Sequence, residues 1–118
     1  MFDKIKTRLF GIDNDLLAAY TSRMPNTILV SIKEDPSGRY VAKIEGVHNS
    51  DELVTEAETG QELLEMVNDA IYTVKDVPET YRTYMGGFVP PVDVAEELKI
   101  KIPAKYLNKS LSLGLKKI

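Results

Sequence analysis

Between Asn26 and Val77 the apolar residues change period once, and that change constrains the fold more than any other feature of the chain. In Thr27-Ile-Leu-Val-Ser-Ile-Lys33, Ile28, Val30 and Ile32 recur at every second position, so they share one face of a strand. Glu34-Asp-Pro-Ser-Gly38 reads as a turn, with Pro36 pre-setting φ and Gly38 free to adopt a positive one. Arg39-Tyr-Val-Ala-Lys-Ile44 then returns with Tyr40, Ala42 and Ile44 on one face, and Leu53-Val-Thr-Glu-Ala57 follows after a polar loop. At Thr59 the period switches. Thr59-Gly-Gln-Glu62 is a capping box, in which the Thr59 hydroxyl and the Glu62 carboxylate each cover a free amide. Leu63, Leu64, Val67, Ala70, Ile71 and Val74 follow at helical spacing. The expectation is α+β: an antiparallel sheet of strands at 27–33, 39–45 and 52–58, with a helix over 60–76 on one face. Leu63, Val67, Ile71 and Val74 are expected to meet the inward residues of the first two strands.

The flanks extend this plan. Phe2, Ile5, Leu9, Ile12 and Leu16 have helical spacing, although Gly11 and Asp13 interrupt it. Asp13 could equally cap a second helix carrying Leu16, Leu17, Tyr20 and Met24, and Pro25 ends either version. Residues 1–25 are thus expected as a helical extension that covers the open sheet face or makes dimer contacts. Tyr81 to Pro91 reads as a linker rich in Gly, Pro and aromatics. Leu98-Lys-Ile-Lys-Ile102 alternates like a fourth strand with its lysines outward. Beyond Pro103, Leu107, Leu111 and Leu115 fit a short helix.

Phrases within 26–77 resemble the HicB-like antitoxin domain, a partial RNase H-like fold. They are Glu34-Asp-Pro-Ser-Gly38, Arg39-Tyr-Val-Ala42 and Thr59-Gly-Gln-Glu-Leu-Leu64, in that order, with Glu52 to Thr59 most similar to an uncharacterised branch of the group. The loop Gly46-Val-His-Asn-Ser-Asp51 departs from the group, which has a Pro-Gly turn there. The resemblance implies a three- to four-stranded HicB-like domain over 26–103, with 1–25 as an extension and 104–118 as a Lys-rich tail.

Charge is segregated along the chain. From Ile44 to Val74 there are eight acids and no Lys or Arg, while from Leu98 to Ile118 there are six lysines and no acid. Segregation on this scale points toward a partner or self-association. HicB-like antitoxins mask small basic HicA-like toxins that cleave RNA, so the resemblance assigns Glu56, Glu58, Glu62, Glu65 and Asp69 to such a contact. Lys99, Lys101, Lys105, Lys109, Lys116 and Lys117 offer the alternative, a nucleic-acid-binding regulator. Many HicB proteins end in a ribbon-helix-helix or helix-turn-helix module, but only 15 residues follow Pro103, too few for both helices of the first type. A surplus of apolar stripes, including Tyr81, Tyr84 and Phe88, suggests a homodimer.

Catalytic patterns are sparse. His48 is the single histidine and no cysteine is present, so a His-based triad, a multi-histidine metal site and thiol chemistry within one chain all fail by counting. None of the six serines sits in Gly-x-Ser-x-Gly or Ser-x-x-Lys. An RNase H-like nuclease would need an acid in the first strand to help hold Mg²⁺, and 27–33 has none. No enzyme activity and no cofactor are expected. The charged N-terminal segment and the lack of a long apolar run suggest a cytoplasmic protein with no membrane span.

Overall fold

The computed structural model describes residues 12–47 and 53–116. The Phe2/Ile5/Leu9 stripe, His48 and Lys117 lie outside these residues. The alternation in the sequence becomes β1 (Thr27–Glu34), β2 (Tyr40–Glu45) and β3 (Leu53–Ala57). They pair antiparallel with Ile32 opposite Ala42, Val30 opposite Ile44 and Ala42 opposite Thr55. This register keeps the inward set together: Ile28, Val30, Ile32, Tyr40, Ala42 and Ile44 are all buried. Asp35 organises the β1–β2 turn by accepting bonds from the Ser37 and Arg39 amides and the Ser37 hydroxyl. Those donors hold its carboxyl below the usual carboxylate range, the Ser37 hydroxyl contributing most.

Helix α2 (Gly60–Val74) buries Leu63, Val67 and Ile71 against the sheet. The Thr59 hydroxyl accepts the Glu62 amide at 3.1 Å, which is one half of the expected capping box. Two further free amides are met from a distant segment: Gly60 N–H donates to the Ile100 carbonyl and Gln61 N–H to that of Lys99. Val74, the last helical residue, is 40% exposed rather than buried, and Tyr72 and Val77 close that end of the core instead. Asp76 takes a left-handed φ of 55° just beyond the helix. Its amide donates to Thr73 O and that of Val77 to Tyr72 O, forming a Schellman end.

The sheet has five strands, not three or four. The segment expected as a Lys-rich helical tail supplies β5 (Ser110–Lys116), which pairs with β1 through Ile28–Leu113 and Val30–Leu111. Leu113 is buried, and Leu111 and Leu115 pack against the core. The expected linker contains a short helix α3 (Glu79–Arg82) and an edge strand β4 (Gly87–Val89), with Phe88 opposite Leu115. The order is β3-β2-β1-β5-β4, and each neighbouring pair is antiparallel. Both edge strands touch α2, so the sheet curls around that helix.

Residues 98–102 do not form the fourth strand. They follow helix α4 (Val92–Glu97), with Leu98 and Ile102 buried as anchors and Ile100 turned outward, 73% exposed. The main-chain carbonyls a strand would give to a neighbour are given to the first turn of α2. A short 3-10 turn at Ala104–Tyr106 then leads into β5.

Asp13 caps helix α1 (Asn14–Ser22), accepting from the Asp15 and Leu16 amides, as expected of the helix carrying Leu16, Leu17 and Tyr20, although it ends before Met24. This helix packs beside the α3 region: the Asp13 amide donates to the Tyr81 hydroxyl, and the Tyr20 and Tyr81 rings meet edge to face at 5.2 Å. It therefore joins the core layer, whereas Leu29, Val54 and Val89 on the opposite sheet face remain exposed.

Candidate functional site

The strand-to-helix order places the exposed side of α2 next to edge strand β4, and between them runs a cleft of about 480 Å³. Leu64, Tyr72, Phe88 and Val89 give it apolar walls, while Gln61, Glu65, Asn68, Asp69 and Arg82 supply its polar lining. Its geometry is fixed by side-chain bonds across the cleft. Asn68 acts as a substitute strand for β4, accepting the Phe88 amide at 2.6 Å and donating to the Phe88 carbonyl at 3.0 Å. The Tyr72 hydroxyl donates to Gly86 O, and burial pushes its pKa upward against the opposing pull of Arg82. Arg82 is itself occupied. Its Nε donates to Val77 O, its NH1 meets the Asp69 carboxylate at 2.7 Å, and its guanidinium lies over the Tyr72 ring.

These contacts divide the acidic set. Asp69 is paired with Arg82. Glu56, on the outward face of β3, and Glu58, just after it, share Arg39 at 3.8 and 3.3 Å. Glu62 and Glu65 are exposed and have no cationic partner among the described residues. One turn of α2 therefore carries two uncompensated carboxylates, with Glu65 on the rim of an apolar cleft.

The lysines are placed by topology. Asn108 N–H donates to Ile32 O, and Ile102 N–H donates to the Tyr40 hydroxyl, so Lys99, Lys101, Lys105 and Lys109 gather at the sheet end where β1 finishes and β2 begins. Lys105 is engaged with Glu97 at 2.8 Å, which raises the Lys105 pKa and lowers that of Glu97. Lys116 lies at the opposite end of β5. The five of these lysines that lie among the described residues therefore do not make one surface. The cleft was not legible in the sequence because its β4 wall lay within an apparent linker. The pair Asn68 and Gly87 was the available clue: a Cβ at Gly87 would lie 3.0 Å from Asn68 Oδ1, so glycine admits the amide.

Among the described residues no group of three His, Asp or Glu side chains is arranged to hold a metal ion, and no helix is long and apolar enough to cross a membrane. The chain matches no protein-family model, no curated protein and no solved structure.

Proposed function

We propose that this chain is a non-enzymatic interaction protein of the HicB-like antitoxin type, which binds a small basic RNA-cleaving protein through the exposed face of α2. The observation that carries this reading is the unpaired Glu62/Glu65 turn beside the apolar cleft of Leu64, Phe88 and Val89. A basic partner gains there what it cannot gain from water alone. Two carboxylates attract it over a distance set by ionic strength, and the aliphatic stem of a Lys or Arg can lie on the cleft floor. Such charge complementarity raises the association rate and selects the partner more than it deepens affinity. Glu56 lies on the outward face of β3, away from α2, while Glu58 and Asp69 are paired with Arg39 and Arg82, so Glu62 and Glu65 carry the steering.

The test is co-purification of the tagged chain with the small basic protein encoded by a neighbouring reading frame, at low and high salt. Capture at low salt and loss at high salt is the expected result. Failure to capture it at low salt would oppose the reading. A second reading, a nucleic-acid-binding regulator, rests on Lys99, Lys101 and Lys109, which share one sheet end and have no carboxylate partner among the described residues. It predicts salt-dependent retention of DNA or RNA that is weakened by replacing these three lysines with Gln and unaffected by changes at Glu62 and Glu65.

A further inference from the structure

The two edges of the sheet are treated differently. On β4 the outer rim is filled by the Asn68 amide, the strand is three residues long, and Pro90 follows it directly. Each of these features discourages another strand from adding. On β3 none is present. Leu53-Val-Thr-Glu-Ala57 has no Pro, Lys or Arg, and no hydrogen bond from another described element reaches its outer rim. From this asymmetry we propose that β3 pairs antiparallel with β3 of a second copy, joining two curled sheets into one ten-stranded sheet. This surface is distinct from the acidic turn of α2 invoked above, and the inference does not depend on that reading.

The sequence of β3 is compatible with itself under a two-fold axis at Thr55. That register sets Thr55 opposite Thr55 of the second copy, Val54 opposite Glu56, and Leu53 opposite Ala57. Within these five residues no carboxylate lies directly opposite another, although the two Glu56 side chains become diagonal neighbours, and a Thr–Thr cross-strand pair is a favourable one. Glu56, the one charge in the strand, already lies beside Arg39 of its own chain.

The helix layer points the same way. Asn68 and Tyr72 bond to the β4 side, so the opposite flank of α2, with Met66 and Ala70, leans toward β3. Met66 is 40% exposed although it sits on the flank nearest the sheet edge. Strand pairing at β3 would bring the two copies of this flank together and cover Met66.

Because the chain contains no cysteine, a single engineered thiol reads the geometry directly. Thr55→Cys places two thiols across the two-fold axis, within the range of a directly opposed antiparallel pair. Val89→Cys, on the blocked edge, is the control. The expected results are a native sedimentation mass of twice 13.2 kDa at tens of micromolar, and rapid oxidative cross-linking of T55C but not V89C. Met66→Lys should raise the dimer dissociation constant about tenfold or more while leaving the far-ultraviolet circular dichroism unchanged. A mass of 13.2 kDa at all concentrations would overturn the proposal. So would a dimeric mass without a T55C cross-link, which would place the second copy elsewhere, and so would V89C cross-linking as fast as T55C.

Discussion

Gly60→Ala should be among the more damaging single-methyl additions this fold can receive, although it is normally a favourable change in a helix. A Cβ at position 60 would sit 1.6 Å from the Leu98 carbonyl oxygen and 2.7 Å from its carbon, both main-chain atoms. Contacts below 3.0 Å are not tolerated, so the 98–100 backbone must retreat by about 1.5 Å. That movement takes the Gly60–Ile100 and Gln61–Lys99 hydrogen bonds, now 2.9 and 3.0 Å, past bonding distance. Losing two such bonds costs about 1–3 kcal/mol. Partly uncovering Leu98, now fully buried, adds about 1 kcal/mol. The helix preference for Ala over Gly returns at most about 1 kcal/mol. The net expectation is a destabilisation of about 1–3 kcal/mol, measured as a lower urea midpoint with an unchanged slope. Gly114→Ala is the control, since nothing lies within 4 Å of its added Cβ, and it should change stability by less than about 0.5 kcal/mol. A G60A variant as stable as the native chain would refute the docking of 98–102 on α2.

Three other outcomes follow from the packing and hydrogen bonding of the fold. Val67→Ala, at a fully buried position under α2, should cost on the order of 1–2 kcal/mol in denaturant unfolding, mostly from lost burial. Asn68→Ala removes both bonds that hold Phe88, so hydrogen exchange at the Phe88 amide should quicken before the rest of the sheet opens, with a stability loss of about 1–3 kcal/mol. The Asp35 carboxyl has a lowered pKa in the fold, so its contribution is present above the unfolded value and is lost as pH falls through the folded one. Carboxyl-detected titration should place its midpoint below that of an unstructured Asp, and Ser37→Ala should bring it upward.

The first three strands and α2 were legible because their periods are unambiguous and their punctuation agrees. Thr59 opens the helix, and the turn after β1 carries Asp35 and Gly38. The C-terminal part was misread for a specific reason. Leu107, Leu111 and Leu115 are four apart, a spacing that satisfies a helix and also, being even, one face of a strand. Leu113, between Ser112 and Gly114, settles the choice: Leu111, Leu113 and Leu115 alternate through the whole of β5. At 98–102 the error ran the other way. The alternation is real, but Pro103 follows, β5 already occupies the free side of β1, and the carbonyls of Lys99 and Ile100 are taken by the amides of α2. Which partner a backbone group finds across forty residues is not written in local periodicity. For the candidate site, the acidic residues were visible but their compensation was not, because Arg39 and Arg82 reach Glu56, Glu58 and Asp69 only after folding.

The functional account centres on Glu62 and Glu65, and the most direct test is the association rate of the basic partner with native protein and with the Glu62→Lys/Glu65→Lys variant. Both residues are exposed, so the variant should still fold, with a stability loss of about 1–2 kcal/mol from placing two lysines in the opening turns of α2. The account predicts a markedly slower association for the variant, by about tenfold or more at low salt, with the difference shrinking as salt is raised. Equal association rates at low salt would contradict it.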